Sequence, residues 1–502
     1  SRPDGGPGGA RFPPPRRAGS RCGTSTPPPA DACPAPSSLL SRLSIVAAAL
    51  LITAVIWLAP AELGERPRLA FIIFTLAVIG WTFTRINDTT IALTASIALI
   101  LTGVVTHDKL YQALSHDLIW LLLAAFIIAA VLRETSLMRR AVAFALKPAR
   151  SISHVFYLLT LAIIATAFVI PSTTSRAIVF LPVFLALSEA FNDKRLTRAL
   201  ALLFPSVILL SACASLIGAG AHVVAVDFMA TGTRPQTFDY LRWMKLGLPL
   251  ALLSSYAAAA AILYLFLTPQ ERNRTIDIPV LVRTGLDPKE VTVAAIVFAT
   301  VVLWMSPNLH GLPMAIVGMC AAIVLTLPAV SGVTLKSAVA SVEWELILFL
   351  AATIVVGEAL IDSGAIAWLA RKLVQGMPGD LMTSPIVVVA MVACISLLAH
   401  MLIVSRTARA TVLIPAIALP AARFGYEPSA IIFLTVTATG FCQSFLVSAK
   451  SVAVYGKLER PTYSAADLMA LSLVLMPLML VLLVVMSLYV WPALGLPLIR
   501  AP

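Results

Sequence analysis

Two short polar segments interrupt otherwise apolar stretches of the chain, and both carry the same arrangement of hydroxyl and guanidinium groups. One occupies residues 171–177 and the other residues 404–410, and both fit the pattern Ser-x-Thr-x-Arg-Ala-x4-Pro. Hydroxyl groups donate hydrogen bonds, and a guanidinium can pair with a carboxylate or sulfate through two parallel bonds. The segments therefore predict a binding site for a small anion. The residues predicted to contact it are Ser172, Thr173, Thr174, Arg176, Ser405, Arg406, Thr407 and Arg409.

Both polar segments place arginine among apolar residues, where it is costly. At the centre of a bilayer an arginine costs about 2.5–3.5 kcal/mol on the insertion scale, so its presence in both segments favours a functional role. Half-helices beginning at Ser175 and Ala408 would add N–H groups and positive dipole ends to the same site. The alternative, in which each guanidinium caps backbone carbonyls or pairs with an acid, stays open and weighs more for Arg176 than for Arg409.

The composition indicates a membrane protein. Of the 502 residues, 59% are hydrophobic and 12% are charged, against roughly 25% charged residues in a soluble protein. This excludes a soluble enzyme, a secreted disulfide-stabilised domain and a disordered regulator. We attribute the net charge of +12 to basic loops that set the topology in the bilayer, and no nucleic-acid binding is expected. The expected fold is an all-α polytopic membrane protein.

Eleven apolar stretches are long enough to cross a membrane as helices of about 20 residues. They occupy residues 44–60, 69–85, 89–105, 117–133, 197–228, 240–267, 290–306, 312–330, 343–362, 427–455 and 464–495. Two longer stretches, 152–190 and 384–423, have the polar segments at their middle and are predicted to form re-entrant hairpins. Two complete spans in each stretch are the alternative, since both arrangements return the chain to the same side of the membrane. Amphipathic helices lying in the membrane interface are predicted directly before them, at 137–150 and 363–376.

The chain contains an internal repeat. Ser172 and Ser405 are 233 residues apart, and Trp120 and Trp344 are 224 residues apart. Each repeat holds five spans and one hairpin, so the second repeat enters the membrane from the opposite side. Such an inverted-topology repeat is typical of secondary transporters. The predicted organisation is a disordered Pro/Arg-rich tail, an extra first helix, a first repeat, a cytoplasmic linker and a second repeat, at 1–43, 44–68, 69–267, 268–289 and 290–495.

In each repeat one further spanning stretch is interrupted by small and polar residues, within 197–228 and within 427–455. His222 and Lys450 are favoured there for coupling because both titrate and both are expected to be buried. Close helix packing is the alternative explanation for the small residues, and a structural hydrogen-bonding role is expected for His400. The residues predicted to couple transport to a cation or proton are Ser215, Gly218, His222, Ser448 and Lys450.

Short basic loops predict how the chain is oriented. With the N-terminus in the cytoplasm, the basic loops at 133–150, 192–198 and 268–289 all fall on the cytoplasmic side, as the positive-inside rule requires. An odd number of spans then places the C-terminus outside. We expect a multi-pass protein of the cell (inner) membrane.

At these residues the chain resembles the divalent anion/sodium symporter family, which includes di- and tricarboxylate and sulfate permeases. The resemblance covers most of 44–495 and rests on the paired polar segments, a Leu-Ile-Gly stretch at 216–218, and the stretches 239–249 and 344–364. It implies an elevator-type transporter that forms a homodimer, with the hairpins and the broken helices in the moving part.

The sequence departs from that family at the positions that bind sodium in its sodium-coupled members. The family's hairpin motif is Ser-Asn-Thr, and here Thr173 and Arg406 stand in place of the two Asn residues. The family's Thr-Pro-Pro-Asn segments are replaced by 219–222 and 448–451. An arginine beside a cation site would repel Na⁺, which favours proton coupling or anion exchange over sodium coupling. The choice among H⁺, Na⁺ and anion exchange stays open, and no other cofactor and no metal is expected.

The sequence therefore predicts a secondary active transporter that moves small divalent anions, such as succinate, malate, citrate or sulfate, by alternating access. An efflux carrier of the arsenite or proton-antiporter type is the alternative within the same superfamily. An intramembrane enzyme is disfavoured because the chain has neither an H-E-x-x-H nor a G-x-S-x-G motif. A membrane scaffold would leave the duplicated polar segments unexplained. The expected partners are a small anionic substrate, the lipid bilayer and a second copy of the chain.

Overall fold

The computed structural model describes residues 63–84, 86–231, 238–275, 287–376, 384–421, 424–445, 449–456, 458 and 462–500. The predicted tail and the predicted helix 44–60 lie outside these ranges, as does Ser448. The described residues fold almost entirely into helices, and the one strand-like pairing among them is an isolated bridge between Tyr426 and Ile499. The prediction of an all-α fold is confirmed.

The helices of the first repeat follow the predicted spans closely, because long apolar runs have few other ways to satisfy their backbone in a bilayer. They are α1 (Glu65–Phe83), α2 (Asp88–Leu101), α3 (Asp108–Leu114), α4 (Asp117–Glu134), α5 (Leu137–Leu146), α6 (Ile152–Thr166), α7 (Thr173–Phe191), α8 (Lys194–Ser211), α9 (Gly220–Thr231) and α10 (Tyr240–Phe266). The short helix α11 (Pro269–Asn273) follows in the predicted linker.

A similar order of helices recurs in the second repeat. Its helices are α12 (Pro288–Met305), α13 (Pro307–His310), α14 (Met314–Leu325), α15 (Leu335–Ala340), α16 (Trp344–Asp362), α17 (Ala365–Gly376), α18 (Pro385–Leu398), α19 (Arg406–Leu413), α20 (Leu419–Ala421), α21 (Pro428–Ala438), α22 (Lys450–Gly456), α23 (Ala465–Val485) and α24 (Trp491–Ala493). The opposite orientation of the two repeats in the membrane stays a prediction.

The described helices make the chain a multi-pass membrane protein. Eight of them, counting continuous pairs as one, are long and apolar enough to cross a bilayer, and six shorter apolar helices accompany them. Two predicted spans are each divided into two helices: the stretch 197–228 forms the long α8 and the shorter α9, and the stretch 427–455 forms α21 and α22. The interruptions predicted from small and polar residues are therefore breaks in the helices.

The two repeats interlock through reciprocal helix pairs. Helix α2 of the first repeat packs on α16 of the second, where the Ser96 hydroxyl donates to the Ala352 carbonyl at 2.8 Å. Helix α14 of the second repeat packs on α4 of the first, where Gly318 lies directly against Ala124. Small residues allow helix axes to approach closely, which is how apolar helices gain packing energy in a membrane.

Each polar segment joins two helices, and we call these pairs the first and second hairpin. Each pair follows a short helix, α5 or α17, at the place predicted for an interfacial helix. Re-entry of the two pairs into the membrane stays a prediction. Helix α6 ends at Thr166 and α7 begins at Thr173, so the first polar segment is the turn between two arms. In the second hairpin the arms are α18 and α19, and α19 continues through a π-helical turn, Ile414–Ala418, that contains Pro415. A proline cannot donate the helical hydrogen bond, and a π-turn is one way to accommodate it.

Candidate functional site

Both hairpin turns end in a serine that caps the following helix. The Ser172 hydroxyl accepts from the Ser175 N–H at 3.4 Å, and the Ser405 hydroxyl accepts from the Ala408 N–H at 3.3 Å. The helices thus begin at Thr173 and Arg406, two residues earlier than predicted. Ser172 has a φ of 74°, in the left-handed region that a non-glycine residue seldom adopts, so the first turn is held against local strain.

The guanidinium of Arg176 is fully buried and is enclosed by protein acceptors. Its Nε donates to the Thr166 hydroxyl at 3.1 Å, and Nη1 donates to the Ile208 carbonyl at 3.0 Å. Its Nη2 donates to the Ile163 carbonyl at 2.6 Å and to the Ser211 hydroxyl at 2.8 Å. These contacts join both hairpin arms to α8 and favour the carbonyl-capping alternative for Arg176.

Arg409 is also fully buried, and most of its contacts are to backbone carbonyls. Nη1 donates to the carbonyls of Ile403 and Val404 at 2.8 and 3.0 Å, and Nη2 donates to the Thr439 carbonyl at 2.9 Å. Its Nε is buried without a hydrogen-bond partner in the described ranges of the chain. Arg409 therefore ties the second hairpin turn to the break after α21 and keeps one donor unused.

Arg406 differs from the other two arginines because two of its three nitrogens lack a partner. Nη2 lies 2.9 Å from Nε2 of His222, whereas Nε and Nη1 are buried and make no hydrogen bond to any residue that the structure describes. Gly440 leaves room for this guanidinium, since a Cβ there would lie 2.9 Å from Nη2. A buried donor without an acceptor is costly, so Arg406 has the unused hydrogen-bonding capacity that an anion would fill.

The two hydrogen bonds of the His222 ring define its tautomer, and one of them is made with Arg406. Its Nδ1 lies 2.9 Å from the Ser215 carbonyl oxygen, which can only accept, so Nδ1 carries the proton. Nε2 must then accept from Arg406, because a guanidinium has no acceptor. The ring is fully buried and packs on Trp243, with ring centroids 4.9 Å apart.

The break between α8 and α9 brings these groups to the second hairpin. Gly218 is required by close approach, since a Cβ there would lie 2.2 Å from the Ala212 carbonyl oxygen. The Ser215 hydroxyl donates to the Tyr240 hydroxyl at 3.2 Å. Gly220, the first residue of α9, sits beside Thr407, whose hydroxyl oxygen would be 3.3 Å from an added Cβ. The N-terminal turns of α9 and α19 therefore converge.

The expectation that Lys450 is buried is wrong. Lys450 is exposed at the start of α22, where its charge interacts with the Asp88 carboxylate. A long lysine side chain at a helix end can reach water, which burial estimates from an apolar run do not capture. His400 is buried and hydrogen-bonded to the Leu397 carbonyl and, at 2.8 Å, to the Ser444 hydroxyl.

Two carboxylates of opposite repeats lie at the hairpin turns, and the sequence pattern does not single them out. The Ser175 hydroxyl donates to Glu343, just before α16, at 2.8 Å. Asp88, at the start of α2, interacts with Ser405. In the sequence, Glu343 directly precedes an apolar helix and Asp88 begins one. No spacing rule connects these positions to the hairpin turn of the other repeat, so the sequence does not identify them.

The site is electropositive. The charges of Arg176 and Arg406 act on each other, and so do those of Arg406 and Arg409. In the part of the chain that the structure describes, none of these three guanidinium groups forms an ion pair with a carboxylate. Thr173, Thr174 and Thr407 lie half-buried at the starts of α7 and α19. Buried cations without counterions are costly, so the arrangement suits a negatively charged ligand.

Comparison with known families shows which family the chain belongs to. A family model described as citrate transporter matches residues 69–440, which include both hairpins and end at Gly440 beside Arg406. The chain belongs to the citrate transporter family. As a member of the citrate transporter family it is a membrane transporter, and the expected resemblance to di- and tricarboxylate permeases is confirmed at the level of the superfamily.

Relatives of this citrate transporter family member occur in mycobacteria. An uncharacterized transporter of Mycobacterium bovis is 27% identical over 339 residues, which is 65% of this chain and 76% of the relative. An uncharacterized transporter of Mycobacterium tuberculosis, strain H37Rv, matches with the same values.

Two solved transporters share the fold. The Alcanivorax borkumensis YdaH transporter superimposes with a TM-score of 0.55 at 14% identity, covering 86% of this chain and all of that one (100%). Neisseria gonorrhoeae MtrF, described as illuminating a class of antimetabolite efflux pumps, gives a TM-score of 0.54 at 13% identity and covers 90% of this chain and 100% of its own. At such identities the likeness concerns the fold alone.

Proposed function

We propose that this member of the citrate transporter family is a secondary active transporter of small divalent anions, with di- and tricarboxylates foremost, and that Arg406 is the main contact of the anion. The observation that carries the proposal is the pair of buried, unpartnered nitrogens on Arg406, in a site with three arginines. A carboxylate would satisfy these donors through charge-assisted hydrogen bonds.

The two repeats contribute unequally to the proposed anion site. Arg176 of the first repeat donates all its hydrogen bonds to protein acceptors. Arg406 and Arg409 of the second repeat together have three nitrogens without a partner in the described structure. The anion is therefore bound mainly by the second hairpin, with the α8–α9 break on its other side. Arg176 supplies charge and holds the first hairpin in shape.

Proton coupling through His222 is part of the proposal. Protonation of Nε2 and acceptance of the Arg406 hydrogen bond exclude each other, since both use the same lone pair. A bound anion would favour the imidazolium through its charge, and Arg406 would turn its Nη2 to the anion. Anion binding and proton uptake are thus linked at one pair of side chains.

Uptake into proteoliposomes tests the proposed function. Labelled citrate, succinate, malate and sulfate are offered to reconstituted full-length protein, with the Na⁺ gradient and the pH gradient varied separately. We expect uptake of at least one of these anions, driven by an acidic outside and independent of Na⁺. Strict Na⁺ dependence would overturn proton coupling. Transport of arsenite without any of the four anions would support the efflux alternative.

Replacing His222 by glutamine is expected to uncouple transport from protons. Glutamine keeps an acceptor for Arg406 and a donor for the Ser215 carbonyl but does not titrate in this pH range. Accumulation driven by the pH gradient should fall to the level of protein-free liposomes, whereas exchange of internal for external labelled anion continues. His154→Gln, at an exposed histidine of α6, is the matched control. Proton-driven accumulation at the wild-type rate in His222→Gln would exclude His222 as the coupling group.

The membrane arrangement completes the proposal. We place the protein in the inner membrane as a homodimer, with the N-terminus in the cytoplasm and the C-terminus outside. Support comes from the basic loops around α5 and α11, which the positive-inside rule assigns to the cytoplasm. The homodimer and the elevator-type movement of the hairpins follow from the resemblance to di- and tricarboxylate permeases.

A further inference from the structure

The side-chain amide of Gln443 is buried, and the side chain is 1% exposed. Within the part of the chain that the structure describes, both Nε2 and Oε1 lack a hydrogen-bond partner. A protein seldom leaves both atoms of one amide buried and unsatisfied, and such a group points to a missing water, ion or ligand. The amide is therefore a candidate group for binding a ligand.

The chain around Gln443 is fixed without any help from this amide. Arg409 donates to the Thr439 carbonyl at 2.9 Å, and the Ser444 hydroxyl bonds His400 at 2.8 Å. Phe441 packs edge-on against the His400 ring, with centroids 5.6 Å apart. The segment 439–445 thus keeps its conformation through the residues on both sides of Gln443.

The same segment forms one wall of the Arg406 site. Gly440, three residues before Gln443, approaches Arg406 so closely that a Cβ would lie 2.9 Å from Nη2. Unpartnered donors on Arg406 and an unpartnered amide on Gln443 therefore occur on two elements that touch each other. Both sets of groups would be satisfied by one polar ligand between them.

An amide can accept a hydrogen bond, which an arginine cannot do. Arginine only donates hydrogen bonds, whereas glutamine donates through Nε2 and accepts through Oε1. A ligand that satisfies Oε1 must itself carry a donor, which a hydroxyl group supplies and a fully ionised succinate or sulfate does not. A site that binds a substrate hydroxyl discriminates strongly against the analogue without it, because the protein group is then left unpaired.

We propose that Gln443 is a specificity-determining residue that recognises the hydroxyl group of a hydroxy-polycarboxylate bound at Arg406. The inference rests on the proposed function, since it needs the anion site. It adds the distinction between hydroxylated and plain polycarboxylates, which Arg406 cannot make.

Binding of citrate and of tricarballylate, which is citrate without its hydroxyl, tests the inference on the purified full-length protein. By titration calorimetry we expect wild type to bind citrate at least ~10-fold more tightly than tricarballylate. In Gln443→Leu this ratio should fall to near one through weaker citrate binding, with tricarballylate affinity nearly unchanged. Ser472→Ala, which removes a different buried polar group without a partner in the described structure, is the matched control and should keep the wild-type ratio. Malate and succinate form a second pair with the same expected behaviour.

The other possible outcomes contradict either the role of Gln443 or the proposed function. A wild-type ratio near one, or an unchanged ratio in Gln443→Leu, would overturn the role of Gln443 and leave anion transport intact. Binding of sulfate with no binding of either tricarboxylate would do the same. Absence of binding for every anion would overturn the proposed function itself. Gln443→Met, which has nearly the same shape, replaces Gln443→Leu if thermal melting shows the leucine variant to be unfolded.

Discussion

Replacing Arg406 by glutamine is expected to weaken citrate binding by at least ~30-fold. Removing one partner of a buried, hydrogen-bonded charge pair costs about 2–5 kcal/mol of binding free energy, and about 1.4 kcal/mol corresponds to tenfold in affinity. The large effect is expected because Nε and Nη1 of Arg406 are buried donors with no partner among the residues that the structure describes. Titration calorimetry on the purified variant measures it.

Folding should survive this substitution. Arg406 makes one hydrogen bond within the described structure, to His222, so its loss removes little that holds the hairpin together. The thermal midpoint of Arg406→Gln is expected to equal or exceed that of wild type, because an uncompensated buried charge is removed. Arg406→Lys, which keeps the charge but not the planar donors, should bind with intermediate affinity. Wild-type affinity in Arg406→Gln would exclude Arg406 as the anion contact.

Replacing Arg176 by glutamine is expected to have the opposite effect, a loss of stability. The side chain makes four hydrogen bonds to Thr166, Ile208, Ile163 and Ser211. A buried acceptor left without its donor costs about 1–3 kcal/mol, so several of them should lower the free energy of unfolding by at least ~3 kcal/mol. Thermal unfolding in detergent and the yield of folded protein are the measurements.

Arg139→Gln provides the matched control for Arg176, because Arg139 is an exposed arginine on α5. It should unfold at the wild-type temperature. The fraction of Arg176→Gln that folds should bind anions with an affinity close to that of wild type. An Arg176→Gln protein with wild-type stability and no anion binding would instead make Arg176 an anion contact and restore the symmetric site that the repeated motif suggests.

The two arginines show where reasoning from the repeated motif reaches its limit. Arg176 and Arg409 occupy equivalent places in the motif, whereas Arg406 stands where the first repeat has Thr173. The motif therefore predicts equal roles for the equivalent pair, yet the largest unused donor capacity lies on Arg406. The difference comes from partners far away in the chain: Ser211 is 35 residues from Arg176, and His222 is 184 residues from Arg406.

Gly218 and Lys450 show the same limit in other ways. The sequence predicts a coupling role for Gly218 and leaves close packing as the alternative, and the close approach of the Ala212 carbonyl explains why glycine is needed there. Lys450 reads as a buried cation, but the start of α22 is exposed and faces Asp88. In both cases burial and contact depend on which helix ends meet, and local sequence does not contain that information.

Local sequence is enough to predict the all-helical membrane fold, the approximate bounds of the helices, and the helix breaks at the two polar segments and within 197–228 and 427–455. These features follow from the length of apolar runs and from polar residues within them, because a bilayer leaves few ways to satisfy the backbone. Tertiary structure alone decided which polar groups are paired and which are free. The unused hydrogen bonds of Arg406 and Gln443 depend on how α9 of the first repeat meets α19 and the segment 439–445 of the second, and this contact forms only when the two repeats pack.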